Sequence, residues 1–193
     1  MSTLPGDPAI EELETKHLLL RQWRATDFEA YAAYHADEDL ARYVGGRSDR
    51  ERSWRRLAAL IGHWSLRGYG YWAVEEKLTG SFVGCVGLWF SEGWPELELG
   101  YWLVREMHGK GYATEAAARS RDCAFEQLGA RTLVSYIHPD NEPSKRVAER
   151  LGARPEEIIE LLDHGPHWVY RYPSPRSPVA PAVPGVPAPR EPR

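Results

Sequence analysis

Glu96-Leu97-Glu98-Leu99-Gly100-Tyr101-Trp102-Leu103-Val104, continuing through Arg105-Glu106-Met107 into His108-Gly109-Lys110-Gly111-Tyr112-Ala113-Thr114, is the stretch that decides the fold. Its first part alternates. Glu96, Glu98 and Gly100 fall on one face and Leu97, Leu99 and Tyr101 on the other, the period of a β-strand. Its second part opens an Ala-rich helix carrying Ala113, Ala116, Ala117, Ser120, Ala124 and Leu128 before a stop at Gly129. Thr132-Leu133-Val134-Ser135-Tyr136-Ile137 then reads as another strand. Residues 96–137 therefore predict a βαβ crossover with two parallel strands.

Elements on either side extend this unit. Upstream, His17–Trp23 reads as a strand, and Thr26-Asp27 offers a helix cap before Phe28, Tyr31, Ala32 and His35 at helical spacing. Ser48 with Glu51 forms a capping-box pattern for a longer helix. Trp54, Leu57, Ala58, Ile61 and Trp64 mark one face of it, the two tryptophans read as core, and it ends near Gly68. Residues 71–75 and 81–89 flank Leu78-Thr79-Gly80 as a hairpin. Downstream, Pro143 suits the first turn of a helix that stops at Gly152, and strands near 156–162 and 167–172 close the chain. The pattern predicts a mixed α/β fold: a mostly antiparallel central sheet flanked by helices, with one βαβ crossover. Residues 1–15 read as a loose leader and 16–172 as one domain. The last 21 residues, from Pro173, carry eight of the 15 prolines and read as a disordered tail.

Composition narrows the function classes. Lys and Arg number 24 against 28 Asp and Glu, a net charge of -4, and the tail holds three Arg but one Glu, so the body is more acidic still. A general nucleic-acid binder needs the opposite balance, so no direct nucleic-acid partner is expected. Two cysteines, Cys85 and Cys123, make no disulfide framework and read as packing residues of a reducing compartment. No apolar run reaches the ~18–20 residues of a membrane span, and no secretory signal is evident, which predicts a soluble, cytoplasmic protein without a membrane partner. The seven histidines lack ligand spacing, and His164-x-x-His167 has no third ligand nearby, so no metal is expected.

Glycines at a strand-to-helix junction bring the backbone close to a ligand, and the helix start adds unpaired N–H groups and a positive dipole end. His108–Thr114 is thus a candidate anion site, most naturally for phosphate. It is neither of two familiar phosphate motifs. A dinucleotide fingerprint from Gly109 needs a third Gly where Thr114 stands, and a P-loop needs Ser or Thr after its Lys, where Gly111 stands.

The run Glu98–Val104 with His108-Gly109-Lys110-Gly111-Tyr112-Ala113-Thr114-Glu115-Ala116 resembles the acyl-CoA-binding core of the GNAT N-acetyltransferase superfamily. Asn141-Glu142-Pro143-Ser144 with Leu151-Gly152-Ala153 looks like the second half of that core, and the pattern is most similar to the RimJ/RimL branch. The resemblance covers roughly 17–172. It implies acetyl-CoA as cosubstrate and a primary amine, a protein N-terminus or a small molecule, as acceptor, with direct attack in a ternary complex. It further implies that backbone N–H groups of His108, Gly109, Lys110, Gly111, Tyr112, Ala113 and Thr114 hold the CoA diphosphate. Leu103 and Val104 would pair with pantetheine, and Asn141 and Ser144 would contact CoA near its thiol end. His108 departs from the family's Arg or Gln. A homodimer is common in that family.

Acetyl transfer needs a neutral amine, a stabilised oxyanion and a leaving thiolate. Glu98 is the candidate base, with Glu96 the weaker choice. Many members of the family supply a Tyr as acid, but its position here falls on Ala148. Ser144 is then the candidate acid, with Tyr112 and Tyr136 behind it. A backbone N–H near Leu103 would hold the oxyanion if the strand bulges there. Trp89 and Trp94, with the loops at 35–47 and 89–96, are expected to shape the acceptor pocket. The alternative reading is an acyl-CoA-binding sensor that has lost its chemistry.

Overall fold

The computed structural model describes Ile10 and residues 12–175; most of the Pro-rich tail, 176–193, lies outside the described residues. Eight strands form one sheet: β1 (Leu13–Glu14), β2 (Leu18–Arg21), β3 (Tyr71–Glu76), β4 (Phe82–Trp89), β5 (Glu98–Leu103), β6 (Val134–Ile137), β7 (Arg154–Glu160) and β8 (Pro166–Arg171). Their order is β1-β2-β3-β4-β5-β6-β8-β7. Every neighbour pair is antiparallel except β5 with β6. The helices are α1 (Phe28–Ala36), α2 (Glu38–Ala41), α3 (Arg50–Arg67), α4 (Tyr112–Glu126) and α5 (Glu142–Arg150). The fold is the mixed α/β one expected, with β5-α4-β6 as its crossover. The sheet also starts earlier than 16, because Leu13 and Glu14 pair with Leu20 and Leu19.

Helices cover both faces. α4 lies on β4 and β5 through Ala116, Ala117, Ser120 and Ala124, all buried and small enough for close approach. α1 and α3 cover the other face around Phe28, Tyr31, Tyr34, Leu57, Cys85 and Trp102. Cys85 and Cys123 are free thiols packed in the interior, and burial raises both pKa values.

Three local expectations are corrected. The cap of α3 is Asp49, whose carboxylate accepts from the Arg52 N–H at 2.8 Å, while Ser48 instead bonds the Ser53 hydroxyl. The buried face of α3 is Ser53, Leu57, His63 and Trp64, and Trp54 is 57% exposed, resting edge-on against Phe28. At the start of the helix the buried position is Ser53, one residue before Trp54, which is enough to turn that indole outward. Asp27 does not cap α1 with its side chain; it forms a buried double hydrogen bond with Arg21.

What positions the site is the seam between β5 and β6. Their backbones pair only at Glu98↔Val134, with Val134 N–H donating to Leu97 C=O. One residue on, the Ser135 hydroxyl rather than a backbone N–H takes Leu99 C=O, at 2.5 Å. From there the strands part and leave a cleft that passes through the sheet.

Candidate active site

At the top of β5 a single 3₁₀ turn, Arg105–Met107, leads to the glycine loop. Gly109 and Gly111 have φ of 77° and 82°, and Gly111 is the N-terminal flank of α4. These values favour glycine, and a Cβ at either would enter open space, so nothing in the fold crowds that side. Among the described residues no acceptor takes the backbone N–H groups of Gly109 to Thr114; the first one paired is Glu115, to Gly111 C=O. Six consecutive main-chain donors at a helix N-terminus suit a phosphate group.

The side chains of this loop are occupied elsewhere. His108 Nε2 lies 2.9 Å from Leu103 C=O, the Tyr112 hydroxyl donates to Glu76 at 2.6 Å, and the Lys110 ammonium lies 3.8 Å from the same carboxylate. Glu115 fastens the chain start to α4 by accepting from the Thr15 hydroxyl and the His17 N–H. The departure at His108 thus falls on a side chain that braces β5 against the loop.

Along β5, alternate residues point their N–H and C=O groups to opposite edges. Val104 N–H donates to Val83 C=O, and Val104 C=O accepts from Met107 N–H. Val104 therefore faces β4, and the expectation that its backbone meets a ligand is corrected. Leu99, Tyr101 and Leu103 face the cleft. With Leu99 C=O taken by Ser135 and Leu103 C=O by His108, the groups left on this edge are both of Tyr101's and the N–H of Leu103. β5 pairs with β4 in unbroken register, so these groups turn outward by alternation and strand separation, without the expected bulge.

The cleft opens into a cavity of about 480 Å³ whose lining includes Glu98, Asn141 and Ser144. Trp89 and Trp94 line it too, as do Tyr43 and Ser91 from the two loops expected there. Burial pushes the Glu98 carboxyl up to about 8. The buried Trp94 Nε1 makes no hydrogen bond of normal geometry, yet it faces this carboxyl closely enough to offset part of the rise. Glu96 is different. It accepts from both Arg171 Nη1 and Nη2 and from the Thr132 hydroxyl, which holds its pKa down and commits it to an ion pair.

Asn141 caps α5, its Oδ1 accepting from Ser144 N–H at 3.3 Å. The Ser144 hydroxyl donates to the Tyr101 hydroxyl at 3.2 Å, and Tyr101 donates to Ser144 C=O at 3.0 Å. Tyr172 lies beside Tyr101 and its hydroxyl is 2.9 Å from that of Ser135. Burial raises the pKa of Tyr101 and, to about 12, that of Tyr172, so both remain neutral donors. This chain of hydroxyls was not foreseen. The alternation of β5 sets Tyr101 on the face opposite Glu98, and only a cleft through the sheet lets both line one cavity. Tyr112, the alternative acid, is turned away toward Glu76, whereas Tyr136 lines the cavity.

A mixed sheet thus parts beside six free main-chain N–H groups, and the cavity it opens into holds a buried carboxylate of raised pKa. The chain belongs to the acetyltransferase (GNAT) domain family, whose model matches residues 17–154. It is similar to the crystal structure of an acetyltransferase from Agrobacterium tumefaciens str. C58, at 35% identity and a TM-score of 0.79, over 90% of this chain and 99% of that one. It is 25% identical over 150 residues to the N-acetyltransferase YoaA of Bacillus subtilis (strain 168), covering 76% of this chain and 85% of that protein. It shares its fold with the ribosomal-protein-S5-alanine acetyltransferase of Vibrio fischeri, at 22% identity, a TM-score of 0.67, and coverage of 86% and 97%. The protein is an N-acetyltransferase of a family that moves an acetyl group from acetyl-CoA to an amine. Among the described residues no helix is long and apolar enough to cross a membrane.

Proposed function

We propose that this enzyme transfers acetyl from acetyl-CoA to a primary amine by direct attack while both substrates are bound. The observation that carries the reading is the continuity of the site. Unpaired N–H groups at 109–114 lead along the free edge of Tyr101 and Leu103 to a cavity holding a carboxylate with a pKa near 8.

Each part has a role. The N–H groups of Gly109 to Thr114 hold the diphosphate, and Tyr101 and Leu103, in place of Val104, pair with pantetheine. Asn141 fixes the start of α5, and through it Ser144. The acceptor enters as an ammonium, because amine pKa values lie near ~8 for an N-terminus and ~10.4 for Lys. Glu98 takes its proton, directly or through water; a carboxylate of raised pKa is strong enough for this yet still ionised in part near neutrality. The neutral nitrogen then attacks the thioester carbon, and an outward N–H of the β5 edge receives the developing negative charge on oxygen. The C–S bond breaks to release a thiolate whose parent pKa, near ~8.5, demands little assistance. The second proton of the attacking nitrogen passes to the departing sulfur by way of the Ser144 hydroxyl, which is tied to that of Tyr101 and is left protonated at the end. A protein N-terminus and a small amine both remain acceptors in this scheme, which fits the RimJ/RimL-like resemblance.

The test is release of free thiol from acetyl-CoA over a panel of amines, with acetyl-CoA affinity measured alongside by calorimetry. Amine-dependent thiol release with a stoichiometric acetylated product is expected. Tight binding with no release on any amine would leave only a thioester-binding protein.

A further inference from the structure

The cavity holds a second charged group, of opposite sign to Glu98. Arg56 of α3 is half-buried in its wall and pairs with no carboxylate among the described residues. A guanidinium has five N–H donors. Nη1 donates to Gly46 C=O at 3.2 Å and to His35 Nδ1 at 3.4 Å, and Nη2 donates to Gly45 C=O at 2.5 Å. Gly45 and Gly46, with φ of 77° and 70°, bend the turn so that both carbonyls meet the guanidinium. Three donors are thereby spent. Nε–H and the second proton of Nη2 remain, side by side on one edge, the geometry that grips a carboxylate with two parallel hydrogen bonds.

His35 adds a further donor. Because Arg56 can only donate, Nδ1 must accept, which leaves the imidazole proton on Nε2. The ring is 2% exposed, and burial beside Arg56 holds its pKa at about 4, so it is neutral. Nε2 is buried without a hydrogen-bond partner among the described residues. One end of the cavity therefore carries a cation with no carboxylate partner among the described residues, and beside it a buried N–H with no acceptor. The other end carries Glu98. Arg56 from α3 and Glu98 from β5 line one cavity, and Tyr31 and Tyr71 belong to the same lining.

We infer that the free edge of Arg56, with His35 beside it, binds a carboxylate of the acceptor, making the acceptor an amino acid whose carboxylate lies across an aromatic-lined span from its amine. The inference rests on the acetyl-transfer reading only in calling this ligand the acceptor, and a binding measurement separates the two.

The probes are 4-(aminomethyl)benzoate against benzylamine and 6-aminohexanoate against pentylamine, titrated by calorimetry into the full chain with CoA present. The carboxylate member of at least one pair should bind on the order of ten- to a hundredfold more tightly, the range expected of hydrogen bonds to a charged group. Arg56→Ala should bring the two members of that pair level. Arg56→Lys, which keeps the charge without the planar edge, should lose most of the preference while still unfolding cooperatively, and it decides the matter if Arg56→Ala does not fold. Equal binding within both pairs, no binding by either carboxylate, or a preference that survives Arg56→Lys intact overturns the inference, even if thiol is released. An Arg56-dependent preference without thiol release sustains the carboxylate site and removes the acetyl-transfer reading instead.

Discussion

At the head of α4 the groups on offer are main-chain N–H, presented by two glycines at positive φ over a stretch of seven residues, 108–114. Around Glu98 they are side chains from α1, α3, β3, β5, β6 and α5, brought together only by the folded sheet. The first region depends on backbone conformation and is indifferent to most of its side chains, which explains how His108 can replace a longer polar residue and serve to brace Leu103. The second region depends on each side chain separately. Substitutions should therefore act differently in the two places: through shape and charge at the loop, through chemistry and pH in the cavity.

The largest effect is expected at Gly111. Its φ of 82° disfavours any side chain, and an aspartate there would set a negative charge where the diphosphate is to lie. Gly111→Asp should weaken acetyl-CoA binding by at least about a hundredfold, a loss of ~2.7 kcal/mol or more. Stability should also fall, by about 1–2 kcal/mol for a side chain held at that φ, with no clash added because the space above Gly111 is open. Calorimetric titration of acetyl-CoA checks this, and an affinity within a few-fold of the parent would show that the loop is only a helix entry.

Glu98→Gln should leave acetyl-CoA affinity unchanged and lower the rate by about 10²–10⁴, the usual loss for a general base. The pH profile is diagnostic. Glu98 titrates at about 8 in the folded protein against 4.5 unperturbed, so the parent enzyme should gain rate as pH rises toward 8 and the variant should lack that limb. Comparing the two cancels the titration of the amine itself. Stability moves the other way. The folded state holds the Glu98 proton more tightly than the unfolded chain, so its contribution is complete below about pH 4.5 and is lost as pH rises through 8. The melting temperature of Glu98→Gln should therefore gain on that of the parent between pH 5 and pH 8 and then hold its lead. A constant offset across that range would mean that Glu98 titrates normally and is no tuned base.

The contrast between the two regions also governs what could be read in advance. The loop is contiguous, so its glycines, its position after an alternating strand and the Ala-rich helix behind it lie together in the chain. The same locality made the crossover legible. The cavity is not local. Arg56, His35, Tyr71 and Ser135 carry no pattern beyond ordinary helix and strand residues, and Tyr101 was placed correctly by alternation on the face opposite Glu98. What the period of a strand cannot reveal is that β5 and β6 separate after one pair, at the point where the Ser135 hydroxyl and not a backbone N–H takes the Leu99 carbonyl. Val104 was misread for a related reason: alternation decides which edge a backbone faces, and the phase becomes fixed only by the bond to Val83. Trp54 shows the limit of periodicity on a helix with two tryptophans, where a shift of one residue chose the exposed one.

The smallest effect concerns how the cavity wall is built, and it separates packing from chemistry. Tyr71, Gly87 and Gly100 stand in register on three neighbouring strands. The Tyr71 side chain crosses β4 at Gly87, and a Cβ at Gly100 would overlap its hydroxyl and lie 2.8 Å from Cζ. Gly100 thus leaves the space in which the phenol rests beside Glu98. Gly100→Ala needs no unusual φ, so its cost is the overlap alone, about 1–3 kcal/mol of stability. Tyr71→Phe removes the oxygen but keeps the ring, which relieves part of that overlap. In a double-mutant cycle followed by thermal unfolding, the pair should be less destabilised than the sum of its members, with a coupling of about 0.5–1.5 kcal/mol. Strict additivity would place the Tyr71 ring elsewhere. A coupling confined to stability, with the pH limit near 8 unmoved, would make Tyr71 a wall of the cavity and leave proton transfer to Glu98.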